Sequence, residues 1–338
     1  MSKRADDQLP RICRPVLVGF QWFVARYLAK HFHTVAVHRL ALTSRMGTHV
    51  GTSFGPESGP RSGLESGLES GRESYADSRP MGPADSIVVY ANHASWWDPL
   101  AAIFIAQRLF SNWAMYAPID ADALRRYPMF GRLGFFGVDR LAPLGAAEFL
   151  RVANRILRRP GTSLWITPEG RFADVRDTTA DLMPGLAHLA WKLSQRQHSP
   201  PRREKNLLDS ERNLAHDSAL VDEVALGDRR VWLIPLAVEY TFWEERQPEL
   251  LMRFGQPLDV TASQGLSKQE WHRLLKERLR WSQAELAKLS IIRDAAQFEV
   301  LLGGSSGTFF VYDWWRKVCG LVRRQHVQMQ HGQKFDQR

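Results

Sequence analysis

Cysteine is nearly absent from this chain of 338 residues: only Cys13 and Cys319 occur, at opposite ends. Their separation matches no metal-ligand spacing and leaves no disulfide framework, so a reducing compartment is the expected setting. Long apolar runs are absent too. No stretch reaches the ~18 residues that cross a bilayer. A secretory leader is not expected either, although Pro15 to Ala25 is uncharged after a basic start. Asp6 and Asp7 occupy the region that should be cationic, Gln21 and Trp22 break the apolar core, and Arg26 follows directly. Acidic residues are in deficit, with 36 Asp and Glu against 45 Lys and Arg, a formal net charge of +9. Such an excess, much of it Arg, suits an anionic partner: nucleic acid, an anionic lipid surface or a phosphorylated substrate. No nucleic-acid-binding module is visible, and no nucleic-acid partner is expected.

What the chain has in quantity is aromatic surface, with 12 Trp and 17 Phe. That favours apolar clefts or a membrane interface. Residues 15–42 read as an amphipathic helix with Val16, Phe20, Phe23, Tyr27, Leu28, Phe32 and Val35 near one face. Such a stripe serves equally a helix lying on lipid headgroups and a helix packed on the domain. This gives an N-terminal basic, amphipathic segment over residues 1–50. Residues 51–80 are rich in Gly, Ser, Glu and Pro, with a tandem Ser-Gly-Leu-Glu unit, and read as a flexible linker. Strand and helix patterns alternate over residues 81–295, interrupted by a polar insertion at 196–229. Ser267 and Glu270 form a capping box before the helical stripe Trp271, Leu275, Leu279, Leu286 and Leu289. Residues 296–338 form an aromatic and basic tail, in which Phe309 to Lys317 suits an interfacial anchor or a docked helix. The alternation predicts an α/β fold with a mixed, largely parallel sheet flanked by helices.

The most informative stretch is Val88-Val89-Tyr90-Ala91-Asn92-His93-Ala94-Ser95-Trp96-Trp97-Asp98-Pro99. An apolar strand ends in a polar turn carrying His93. Asp98 then reads as a helix N-cap, with Pro99 at the first helical position. A turn can bring carboxylate to imidazole, giving a base and the group that orients it. The bland reading keeps Asp98 as a cap and His93 as a loop histidine.

Three further blocks follow. Gly131 to Arg140 is punctuated by glycines, Gly134 among them, and ends in an arginine suited to gripping phosphate. Leu164 to Arg171 is a buried strand ending in Pro168-Glu169-Gly170-Arg171, so Glu169 and Arg171 project at the edge where α/β sheets bind ligands. Leu233-Ile234-Pro235-Leu236-Ala237 puts a proline in an apolar strand, which marks an edge or bulge and could shape an apolar slot. Singly, each has a plain structural explanation.

In combination and order, over roughly residues 85–255, the blocks resemble the four-block signature of the PlsC-like glycerolipid acyltransferases, the 1-acylglycerol-3-phosphate acyltransferase family. The resemblance implies a glycerol-3-phosphate acyltransferase-like fold. It implies a catalytic role for His93 with Asp98 as partner, and acceptor-phosphate binding by Gly134 and Arg140. Glu169 and Gly170, with Arg171, match the acceptor-binding third block; Pro235 matches the fourth, associated with catalysis or the acyl chain. The sequence departs from the family pattern in the third block. Thr167 stands where an aromatic is usual, and Arg171 follows the glycine directly where a threonine usually intervenes. That shift displaces the guanidinium by about 3 Å along an extended chain.

The expected activity is transfer of an acyl group from an acyl thioester, acyl-CoA or acyl-ACP, to the hydroxyl of a lysophospholipid. 1-Acylglycerol 3-phosphate is the first choice of acceptor, and the setting is an anionic membrane surface on its cytoplasmic face. No metal and no cofactor beyond the thioester co-substrate is expected. Two rivals stand beside it: a lipid hydrolase or thioesterase using the same pair on water, and a non-catalytic lipid-surface binder.

Overall fold

The computed structural model describes residues 9–38, 80–139, 142, 144–195, 229–261, 263 and 265–304. Arg140, nearly all of the expected linker and insertion, and the stretch Phe309 to Lys317 lie outside these residues. Among the described residues, β-branched and aromatic runs form a mixed sheet with helices on both faces. The chain enters as α1 (Arg14–His31) and β1 (Thr34–His38), then β2 (Ser86–Ala91), α2 (Asp98–Leu109), β3 (Ala114–Asp120) and α3 (Ala121–Arg126). A 3₁₀ turn at Pro128–Leu133 leads into β4 (Phe135–Val138), α4 (Gly145–Leu157), β5 (Thr162–Ile166) and α5 (Gly185–Ser194). β6 (Val231–Thr241), β7 (Glu249–Phe254), β8 (Leu258–Asp259), α6 (Lys268–Ile292) and β9 (Glu299–Gly303) follow.

The strand order is β4-β3-β5-β2-β6-β7-β1-β9, with β8 on β6. β4, β3, β5, β2 and β6 pair in parallel, β6 with β7 antiparallel, β7 with β1 parallel, and β1 with β9 antiparallel. The expected α/β class with a largely parallel sheet is therefore the observed one. Alternation along the strands separates two cores. Ile87, Val89, Ile234, Leu236 and Val238 face α1 and α2. Val88, Tyr90, Leu164, Ile166 and Leu233 face α4, α5 and α6. Trp271, Leu275, Leu279 and Leu286 of α6 are all buried, as the stripe predicted, each contributing about 1.5–3 kcal/mol by burial. The Ser267–Glu270 capping box is present.

Three expectations are corrected here. The helix expected over 15–42 ends at His31, and Phe32 is its extended C-cap. Thr34, Val35 and Val37 then form β1, because β-branched side chains fit a strand flanked on both sides better than another helical turn. So α1 and β1 are part of the sheet domain, not a separate N-terminal segment. The buried face of α1 also differs: Val24 and Leu28 are buried while Phe23 is half exposed, so one side is docked and another carries open apolar side chains. At the other end of the chain, β9 makes the start of the expected tail an edge strand of the same sheet.

Pro235, expected at an edge or bulge, lies in the interior of the sheet. β2 flanks β6 from Val231 to Leu236, and on the other side Pro235 stands where pairing with β8 stops and pairing with β7 begins. A missing N–H is tolerated at that joint. The Pro235 carbonyl accepts from Gly255 N–H at 2.8 Å. A Cβ on Gly255 would lie 2.6 Å from Pro235 Cγ and 2.3 Å from Ser282 Oγ. Gly255→Ala is therefore expected to lower the unfolding free energy by about 1–3 kcal/mol through overpacking. Urea denaturation of the variant against the parent protein checks this.

Candidate active site

β5, β2 and β6 are neighbouring parallel strands, with Tyr90 opposite Ile166 and Ala91 opposite Leu236. Their C-terminal ends lie at one edge of the sheet, where α/β proteins bind ligands. β2 delivers Asn92 and His93, β5 delivers Thr167 to Glu169, and β6 delivers Val238 to Tyr240. Asn92 holds the first and last together. Its amide donates to the Val238 carbonyl at 3.0 Å and accepts from Val238 N–H at 2.8 Å, both bonds buried.

The His93 loop turns back on itself, and His93 Nδ1 lies 2.7 Å from Asp98 Oδ2. A carboxylate only accepts, so Nδ1 carries the hydrogen and Nε2 keeps its lone pair in the neutral ring. Among the described residues Nε2 has no hydrogen-bond partner. The same Asp98 oxygen accepts from Ser95 N–H at 3.1 Å. Asp98 is not the N-cap expected from sequence. The cap position is Trp97, and Asp98 is the first residue of α2. Its carboxylate points back to the loop because three donors meet it there: His93, Ser95 and, at 2.6 Å on Oδ1, the Tyr240 hydroxyl. Burial, and then the adjacent Asp98 charge, hold the Tyr240 phenol well above its ordinary pKa, so it stays protonated and donates.

Glu169 is a bracket behind this loop. Its side chain is 2% exposed and engaged at both oxygens. Oε2 accepts from the His93 backbone N–H at 2.8 Å, and Oε1 accepts from Arg280 Nη1 of α6 at 2.8 Å. Arg280 also donates to Gln283 Oε1 at 2.6 Å and to the Ala180 carbonyl. Residues 170–183 thus form a strap across the loop, tied to α6. Ala173 N–H donates to the His93 carbonyl at 2.9 Å, and Gln283 donates to the Val175 carbonyl at 3.2 Å. Asp181 meets Lys276 at 3.0 Å and His272 at 3.1 Å, whose hydrogen bonds hold its carboxyl down at about 2. The strap places Phe172, 58% exposed, against the His93 ring at 4.4 Å between centroids.

The structure brings together His93, Asp98 and Glu169, with Gly170 and Arg171 on the adjoining strap. Gly170 has φ 65°, and a Cβ there would sit 2.4 Å from Met183 Sδ. The turn requires a glycine there. Glu169, expected to bind the acceptor, has both oxygens committed inside the protein, because a buried carboxylate needs donors on each. Arg171 is largely exposed, and its guanidinium lies 3.8 Å from Asp177, a weak surface pair. Gly134 is not beside the pair. It opens β4, with β3 and β5 between it and β2. Its φ is 102°, and a Cβ would meet the Met115 carbonyl at 2.2 Å, so it serves the close approach of a turn. Pro235 faces Gly255 and Ser282 beneath α6, three residues before the β6 segment that Asn92 clamps. Arg140 lies outside the described residues. Sequence reasoning missed Asn92, Phe172, Tyr240 and Arg280. Their signals were slight: a hydroxyl closing an apolar strand, and a cation beside the apolar stripe of α6.

Residues 72–201 match the protein-family model described as Acyltransferase. No curated protein sequence matches the chain. Among solved structures the chain is similar to the 1-acyl-sn-glycerophosphate (LPA) acyltransferase PlsC from Thermotoga maritima, with 14% sequence identity and a TM-score of 0.41, over 81% of this chain and 80% of that one. A likeness of that size says nothing about substrate.

Removing Arg280 strands the Glu169 charge in the interior. Arg280→Met is expected to cost about 3–5 kcal/mol of stability, and Glu169→Gln added to it should recover part of the loss. Equilibrium urea unfolding of the single and double variants measures both.

Proposed function

Starting from an acyltransferase-family segment spanning residues 72–201, we propose that this protein moves a fatty acyl group from an acyl thioester to the hydroxyl of a lysophospholipid. The first choice of acceptor is 1-acylglycerol 3-phosphate, and the donor is acyl-CoA or acyl-ACP. The observation that carries this reading is the 2.7 Å bond from His93 Nδ1 to Asp98, which leaves Nε2 open. Nε2 takes the acceptor's proton as its oxygen attacks the thioester carbonyl. The carbon–sulfur bond breaks, and the imidazolium returns the proton to the departing thiolate. Asp98 keeps the tautomer and offsets the passing positive charge. A positioned base of this kind is worth about 10²–10⁴-fold, and holding both substrates together contributes the remainder. The thioester is already activated, so the reaction needs no metal and no further cofactor. Arg171, exposed on the strap next to Phe172, and Arg140 are the proposed grips for the acceptor phosphate.

The reaction is proposed to take place at the cytoplasmic face of an anionic membrane, with the protein bound peripherally or monotopically. Among the described residues no helix is long and apolar enough to cross a bilayer. Exposed aromatics support a surface attachment. Trp22 on α1 is 65% exposed beside the Arg26 guanidinium, and Trp96 on the His93 loop is 55% exposed. Ring contacts run from Trp96 through Trp97 and Tyr27 to Phe23 on α1, linking the loop to that surface. Aromatic rings flanked by cations suit the headgroup region.

Purified protein given labelled acyl-CoA and a panel of lyso-acceptors is expected to form diacyl lipid. His93→Ala and Asp98→Asn should reduce that by about 10²-fold or more while remaining folded. Full activity in His93→Ala ends the mechanism, and free fatty acid as the sole product, with acceptor present, favours hydrolysis instead. Co-sedimentation with anionic vesicles should weaken as salt is raised. It should weaken further in Trp22→Ala/Phe23→Ala, whereas binding indifferent to both changes removes the proposed surface.

A further inference from the structure

We infer that Tyr240 is a positioning residue for the proposed reaction, its hydroxyl fixing Asp98 and tempering the charge that Asp98 presents to His93. The inference rests on the acyl-transfer reading for its effect on rate, but not for its effect on the imidazole. Asp98 divides its oxygens. Oδ2 takes His93 Nδ1–H and Ser95 N–H, both from its own loop. Oδ1 takes the Tyr240 hydroxyl, which comes from a strand 142 residues away in sequence. Among the described residues Tyr240 is the one side chain from another element that bonds this carboxylate.

Tyr240 is itself held. It lies opposite Leu250 in the β6–β7 ladder, two residues from the Val238 backbone that Asn92 clamps. Its ring packs against Phe32 at 5.8 Å, and Phe32 packs in turn against Trp97 at 5.0 Å. The hydroxyl therefore has a defined direction. The other charged or titratable groups around the pair sit differently. Glu169, from the strap, accepts from the His93 backbone and is neutralised by Arg280 of α6. His31, from α1, bonds the Tyr27 carbonyl through Nδ1 at 2.8 Å and packs on the rings of Trp97 and Tyr27. None of these bonds the Asp98 carboxylate.

The chemical consequence follows from what a base must do. His93 has to be neutral to accept a proton, yet a bare buried carboxylate on Nδ1 favours the imidazolium. A hydroxyl donating to the far oxygen draws charge away from the near one. Tyr240 thus weakens the charge that the imidazole meets at Nδ1. It also stops the carboxylate from turning away from Nδ1.

Tyr240→Phe deletes a single oxygen atom and tests this. NMR titration of the His93 ring nitrogens should show a change toward protonation at higher pH in the variant than in the wild type. The acidic limb of the acyl-transfer pH profile should move in the same direction, and kcat should fall about tenfold with little change in KM. Should the variant fail to fold, the wild-type protein still decides: the Tyr240 hydroxyl proton should resonate downfield, exchange slowly and shift through the His93 titration. A variant whose kcat falls with no change in titration or pH profile makes Tyr240 merely structural and overturns the inference. So does a Tyr240 proton indifferent to His93. Absence of transfer in the wild type would defeat the functional reading alone, because the ring titration needs no substrate.

Discussion

The bond from His93 Nδ1 to Asp98 Oδ2 is the constraint on which the site depends. It selects the tautomer, turns Nε2 outward and explains why the carboxylate points back across its own turn rather than capping α2. A carboxylate in that position is buried and would be costly unless its other lone pairs were met. Ser95 N–H and the Tyr240 hydroxyl meet them. The proposed acyl transfer asks only that this geometry persist while a proton passes through it.

Persistence comes from outside the loop. Asn92 locks the end of β2 to β6, and Glu169 receives the His93 N–H while Arg280 answers its charge. The strap after β5 then lies on the loop through Ala173 and is tied to α6 by Gln283 and Arg280. Four chain segments, distant in sequence, thus fix one imidazole. Such enclosure limits where substrate can enter, and the exposed rings of Phe172 and Trp96 mark the open side. Apolar edges beside a proton-accepting nitrogen suit a reactant that is itself part lipid.

How much was legible beforehand varied with how local the cause was. β2, β5, β6 and α6 could be read because their patterns are strongly periodic and their caps are made by near neighbours, as with Ser267 and Glu270. β1 and β9 could not. Thr34 to His38 continues the apolar spacing of α1 for several residues, and only pairing with β7 and β9 makes it a strand. Pro235 misled for a related reason: its missing donor suggests an edge, and the junction of β8 with β7 that accommodates it in the sheet interior is a tertiary arrangement. The bracing role of Glu169 was not legible because its partner Arg280 lies 111 residues further along.

The sequence by itself determined the alternation of strands and helices, the cationic excess and the pairing of imidazole with carboxylate across a turn. These depend on residues close in the chain, whose spacing directly dictates which side chains can meet. Only the tertiary structure decided that Tyr240, Glu169 and Arg280 belong to the same site. It likewise decided that Gly134 and Pro235 serve the packing of turns and strands. Those assignments follow from which strand ends lie side by side, and buried polar groups must find donors across the fold wherever the neighbouring sequence does not supply them.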